Sequence, residues 1–170
     1  MARRHTARQP ADLHDRALRL LAVRPRARRE LEVRLRRAGF DPDEVDDELA
    51  RLEAVGLVDD RAFARELADH HVTSRRSGRR AVAGALAAKG VSRQVIEETV
   101  AGLGEDEDER ALDLARERAP RMAGLPPDKA LKRLSALLIR RGYEPPTARD
   151  AARRALRVGG DVESPRGETP

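Results

Sequence analysis

Glu66 and His70 stand four residues apart, so on a helix they would share one face, as two metal ligands do, with His71 beside them. Two such ligands are too few for a structural or catalytic zinc, and there is no cysteine to add a thiolate. The histidines therefore read as a solvated helix end. Asp59-Asp60 is the neatest carboxylate pair, a pattern suited to acid–base work or magnesium binding. Both acids follow Gly56-Leu57-Val58 where a new helix should begin, and that is where capping carboxylates belong. The acidic run from Glu105 to Glu109 reads as a solvated linker and helix start. Ser74, Ser77, Ser92, Ser135 and Ser164 have no neighbour that marks a nucleophile, and no phosphate-cradling glycine loop is present. The sequence predicts no enzyme, no metal ligand and no cofactor.

The remaining chemistry belongs to arginine. Lys and Arg number 35, yet the only lysines are Lys89, Lys129 and Lys132. Forked guanidinium donors suit phosphates and carboxylates, although a coding bias toward arginine produces the same ratio. Charge comes in blocks: +8 over residues 1–40, −8 over 41–69, +6 over 70–93, −7 over 94–117 and +8 over 118–157. The sharpest cluster is Arg75-Arg76-Ser77-Gly78-Arg79-Arg80, because no acid lies within residues 70–93. Solvated helix faces and helix-dipole preferences also produce such blocks, so charge alone leaves an anionic partner and a plain surface open.

The elements that must carry these groups repeat. Leu35 to Gly39-Phe40, Leu86 to Gly90-Val91 and Leu138 to Gly142-Tyr143 share one spacing. An apolar residue precedes each leucine by four: Leu31, Val82 and Leu134. Apolar stripes follow at Val45, Leu49 and Leu52, at Ile96, Val100 and Leu103, and at Ala148, Ala152 and Ala155. Each unit reads as a helix closed by a glycine in the left-handed region, then a second amphipathic helix. Asp41-Pro42, Ser92 and Glu144-Pro145 start those second helices. A further helix precedes each pair: Asp12 to Arg24, Asp59 to about Ser74, and Asp106 to about Met122. The expectation is an all-α protein, an elongated array of three tandem three-helix repeats at 12–57, 58–104 and 105–157, with disordered tails at 1–11 and 158–170. A basic position ten before each glycine, at Arg29, Arg80 and Lys132, would form a stripe along stacked units.

Composition narrows the class further. Phe40, Phe63 and Tyr143 are the only aromatic residues, too few for a base-stacking platform. The start of the chain lacks the apolar core of a secretory signal, and no stretch approaches the roughly 18–20 apolar residues of a membrane span. A cytoplasmic protein with no membrane partner is expected.

Gly56-Leu57-Val58-Asp59-Asp60-Arg61-Ala62-Phe63-Ala64, followed by a basic stretch and then Leu86-x-x-Lys89-Gly90-Val91, resembles the RecX family of bacterial recombination regulators. The resemblance spans about residues 12–157. It departs from the family pattern after Phe63-Ala64, where Leu67, Ala68 and the histidines replace a further aromatic, and at Ala85, where an acid is common. It implies a non-enzyme that binds the RecA–DNA filament and restrains RecA's ATPase, coprotease and strand-exchange activities. The implied partners are the RecA recombinase filament and single- or double-stranded DNA, met by a monomer. The residues expected to face them are Arg28, Arg29, Arg75, Arg76, Arg79, Arg80, Lys132, Arg140 and Arg141. Gly56, Leu57, Asp59, Asp60, Phe63, Ala64, Leu86, Lys89 and Gly90 are expected to be structural. A stand-alone DNA-binding protein using the same stripe is the alternative.

Overall fold

The computed structural model describes residues 10–104 and 106–160, and every regular element among them is helical. The order is α1 (Pro10–Val23), α2 (Arg28–Arg37), α3 (Pro42–Ala54), α4 (Asp60–Thr73), α5 (Arg79–Ala88), α6 (Arg93–Ala101), α7 (Glu107–Arg118), a short 3-10 helix (Ala119–Met122), α8 (Pro127–Arg140) and α9 (Pro145–Gly160). The expected tails lie almost entirely outside the described residues. The helix expected from Asp106 to Met122 changes to 3-10 after Arg118, because Pro120 has no N–H to continue the α-helical ladder.

The chain divides into two compact units. The first holds the described residues up to Ala68 together with Gly84–Thr99, and the second holds Asp69–Ala83 and the described residues from Val100 onward. In the first unit, Leu13, Ala17, Leu31, Leu35, Val45, Leu49 and Leu52 form one core between α1, α2 and α3. In the second, Leu112, Leu114, Leu134, Leu138 and Tyr143 pack with Ala148, Ala152 and Ala155. Small residues on α9 let it lie close to both α7 and α8, the helices it contacts most. The stripe read at Ile96, Val100 and Leu103 is only half-buried, and α6 buries none of its residues fully.

Helix starts show where the chain is tied. Asp41 caps α3 by accepting from the N–H groups of Asp43 and Glu44, with Pro42 at the first helical position. Asp59 caps α4 by accepting from Arg61 and Ala62 at 2.9 and 3.0 Å. The start of α2 differs: Ala27 at its N-cap has no side-chain oxygen. Its first N–H, on Arg28, instead donates to Asp60 Oδ1 at 2.7 Å. The second unit repeats the device, with the Arg79 N–H at the start of α5 donating to Glu107 Oε1 at 2.8 Å. Two expectations need correction here. Asp60 caps a helix 32 residues upstream as well as sitting at its own helix start, and Glu107 is buried rather than part of a solvated linker. Each acid is drawn inward because an orphan helix N–H has no nearer acceptor.

The α5 start has two more partners in its unit. Gly78 and Arg80 donate to the carbonyls of Arg141 and Gly142 at 2.8 and 3.1 Å, so the turn ending α8 docks onto the turn beginning α5. The approach requires glycine on both sides. A Cβ on Gly78 would stand 2.6 Å from the Tyr143 nitrogen, and Gly142, at φ +90, abuts Ala81. The first unit has a comparable contact, where a Cβ on Gly90, at φ +78, would stand 2.6 Å from Arg29 Cβ.

Removal of either borrowed cap should destabilise the protein. Asp60→Ala and Glu107→Ala are expected to cost about 1–2 kcal/mol each in urea unfolding followed by far-ultraviolet circular dichroism. Asp60→Asn retains an acceptor and should lose less. Wild-type stability in both alanine variants would show that the caps contribute nothing.

Candidate functional site

In the first unit, α1, α2 and the end of α5 enclose a groove of about 660 Å³. Six cations line it, Arg16, Arg24, Arg29, Arg34, Arg37 and Lys89, against a single carboxylate, Glu30. Its apolar lining comes from Leu20, Val33, Ala38, Ala87 and Ala88. Two i,i+4 rows of α2 build one wall: Arg29, Val33 and Arg37, and Glu30, Arg34 and Ala38. The core pair Leu31 and Leu35 anchors the other side of that helix.

Glu30 organises the groove. Its Oε1 accepts from Arg26 Nη1 at 2.5 Å, Arg24 Nη2 at 2.6 Å and Arg34 Nε at 3.1 Å, and its Oε2 lies 3.7 Å from Lys89 Nζ. Arg26 is itself buried and also donates to the Leu20 carbonyl. Burial pushes the Glu30 carboxyl up, but the hydrogen bonds from Arg26 and Arg34 and the charges of Arg24 and Lys89 outweigh it. The net result is titration below the ordinary glutamate range. Lys89, expected to be structural, thus stands in the groove wall as a counter-charge to Glu30. Arg29 pairs with Glu32 at 2.6 Å and keeps 57% of its side chain exposed. Arg16 and Arg37 are exposed and form no ion pair among the described residues. They are the donors most available to an incoming anion, and the charge-block reading missed them. For Arg37 the signal was present in Arg-Arg-Glu-Leu-Glu-Val-Arg-Leu-Arg-Arg of α2, once its helical rows are drawn opposite the leucines; Arg16 lies on α1 and joins the groove only through the tertiary fold.

The expected partner-facing arginines fall into distinct groups. Arg28 and Arg79 occupy equivalent first positions of α2 and α5, each with about a third of its side chain exposed. Arg28 Nε lies 3.3 Å from Glu53 and Arg79 Nε 3.4 Å from Glu107, while Arg79 Nη2 donates to the Gly104 carbonyl. Arg76 pairs with Glu117 at 3.1 Å and Arg80 with Glu144 at 3.6 Å, each with about half its side chain exposed. Arg141 Nη1 donates to the Arg75 carbonyl at 2.6 Å, which gathers Arg75, Arg76 and Arg141 in the second unit. Lys132 and Arg140 lie exposed on α8.

Among the motif residues, Phe63, Ala64 and Leu86 are buried, whereas Leu57 is 52% exposed. The histidines separate. His70 is exposed, and His71 is buried, with its Nδ1 3.5 Å from Ser77 Oγ and its carbonyl accepting from the Ser77 N–H. Burial, with Arg75 and His70 nearby, lowers the His71 pKa. This corrects the reading of both histidines as solvated: His71 holds the loop between α4 and α5. No cluster of three or more metal-ligating side chains occurs among the described residues, and no helix there is long and apolar enough to cross a membrane.

The helices and the groove define a class: an all-α protein with a cationic groove in its first unit. Residues 14–52 match the family described as "RecX, first three-helix domain", and residues 59–100 match "RecX, second three-helix domain". "Regulatory protein RecX" of Streptomyces coelicolor is 38% identical over 145 residues, covering 85% of this chain and 77% of that protein. The protein of the same name from Chlorobaculum tepidum is 35% identical over 142 residues, covering 84% and 87%. The crystal structure of RecX from Lactobacillus salivarius shares the fold, with a TM-score of 0.80 at 19% identity, over 88% of this chain and 97% of that one. The chain belongs to the RecX family and has a RecX regulatory role.

Acid should weaken the Glu30 cluster. A carboxyl with a lowered pKa in the folded state contributes stability above its unfolded value of about 4.3, and that contribution is lost as pH falls through the folded value. Glu30→Gln is therefore expected to be less stable than wild type at pH 7, with the gap closing below about pH 4 in unfolding curves. A gap independent of pH would contradict this account of the cluster.

Proposed function

We propose that this protein binds the RecA–DNA nucleoprotein filament and restrains RecA's ATPase, coprotease and strand-exchange activities. It does so by binding, without chemistry of its own, as a cytoplasmic monomer. Family membership supports the regulatory role. The observation that carries the contact is the groove, where six cations face one carboxylate and Arg16 and Arg37 have no ion-pair partner among the described residues. Guanidinium groups in such a groove suit phosphate oxygens of filament DNA and carboxylates of RecA. Arg29, Arg75, Arg80, Lys132 and Arg140 extend the cationic surface available within the two units, each exposed at its place. Arg28 and Arg79 support the contact indirectly by holding helix starts.

A stand-alone DNA-binding protein is the second reading, favoured by the same groove and a pI near 10.5. The two separate on salt. A pure phosphate binder loses affinity with a slope of about 0.7–0.9 per neutralised phosphate, whereas a filament binder keeps a salt-resistant protein contact.

The test is ATP hydrolysis by RecA on single-stranded DNA, titrated with this protein well below DNA-saturating amounts. Inhibition is expected, and the Arg16→Glu/Arg37→Glu double variant should need about tenfold more protein for the same effect, equivalent to about 1.4 kcal/mol. Equal inhibition by the variant would remove the groove from the contact. DNA binding by the wild type without inhibition would favour the second reading.

A further inference from the structure

A different site lies in the second unit. An apolar groove of about 570 Å³ runs between the 3-10 helix, the start of α8 and the last turns of α9. Pro120, Met122, Leu125, Ala130, Ala155 and Leu156 line it, and Arg116 is the charged residue in its lining. Met122, Ala130 and Ala155 belong to the core of the unit, so the core itself forms the floor. Leu125 and Leu156 pack against that core but are only partly buried.

The local sequence keeps this groove open. Pro120 cannot continue the α-helical ladder of α7, and Gly124, at φ +80, turns the chain into α8. The turn is hydrogen-bonded: the Ala123 N–H donates to the Pro120 carbonyl at 3.2 Å, and the Leu125 N–H to the Met122 carbonyl at 3.1 Å. Ala155, last in the small-residue face of α9, leaves space that a larger side chain would fill. A hollow held by its own backbone costs little ordering on binding.

Cations flank the hollow. Arg149, Arg153 and Leu156 form one row of α9, spaced by four and three residues. Arg133 stands three residues after Ala130 on α8. All three arginines are exposed and in no ion pair among the described residues. The acids nearest in sequence to the lining are fewer: Asp113 pairs with Arg116 at 3.5 Å, and Asp128 follows Pro127. Arg149 and Arg153 stand about 6 Å apart along the helix axis, and Arg133 is on another helix. Acids spaced along a chain can meet all three, where a lone anionic head group meets one.

We propose that this groove docks a segment of a protein partner that presents one large aliphatic or aromatic side chain between acidic residues. The apolar side chain fills the hollow against Met122, Leu125 and Leu156, and the neighbouring carboxylates pair with Arg133, Arg149 and Arg153. A nucleic-acid strand would meet the arginines but leave the apolar floor uncovered. The site lies wholly within the second unit and does not rest on the filament reading.

The test is fluorescence anisotropy of a short labelled peptide, glutamates around a central phenylalanine, titrated with the full chain. Binding is expected, and alanine in place of the phenylalanine, or lysines in place of the glutamates, should weaken it about tenfold or more. Leu156→Gln and the Arg149→Glu/Arg153→Glu double variant should each weaken it about tenfold, with a wild-type circular dichroism spectrum. Equal binding of the alanine peptide, or wild-type affinity in both variants, would overturn the proposal. So would stronger competition by oligothymidine or decanoate than by unlabelled peptide. A concentration-dependent dimer that Leu156→Gln dissolves would give the groove to a second copy instead. Should Leu156→Gln fail to fold, the surface variant and the alanine peptide decide.

Discussion

Two helix starts cannot be satisfied by their own sequence neighbours, and much of the structure is arranged around that constraint. α2 begins after Ala27 and α5 after Gly78, neither of which has a side-chain oxygen to accept the first N–H. Each unit answers with a carboxylate from far along the chain, Asp60 in one and Glu107 in the other. An unpaired N–H at a partly buried helix end is costly, so these bonds restrict how the later helix can lie against the earlier one. Arg28 and Arg79, at the same helix starts, add ion pairs to Glu53 and Glu107. In the second unit the glycine turn after α8 closes on the start of α5, with no room for a side chain on either side of the contact.

This arrangement divides the many arginines by task. Some are consumed in holding the fold: Arg26 is buried on Glu30, and Arg28 and Arg79 serve the helix starts. Others pair with acids yet keep a large exposed fraction, as Arg29, Arg76 and Arg80 do. Arg16 and Arg37 are exposed and carry no internal partner among the described residues. The conspicuous Arg75-Arg76-Ser77-Gly78-Arg79-Arg80 cluster therefore holds members of several kinds. Its density of charge reflects a crowded helix junction as well as a surface.

The candidate site was legible only in part. Gly39, Gly90 and Gly142 all adopt positive φ at the spacing read from the sequence, and the stripes at Leu31 and Leu35 and at Val45, Leu49 and Leu52 are buried. Asp41 and Asp59 cap helices as their positions required. The groove as a whole was not legible, because its cations come from α1, from α2 and from the segments that follow α1 and α5, and its central carboxylate, Glu30, looks in sequence like any exposed helical acid.

The sequence by itself determined the helices, their order, the turns between them and the family, because these depend on local periodicity, capping chemistry and motif spacing within a few tens of residues. Only the tertiary structure decided which charges face inward. Asp59 and Asp60 are adjacent and chemically identical, yet one caps its own helix and the other caps a helix 32 residues upstream. His70 and His71 are likewise adjacent, one exposed and one buried. Partnership of a charged group is set by what lies within a few ångströms of it, and for these residues that neighbour comes from a distant part of the chain.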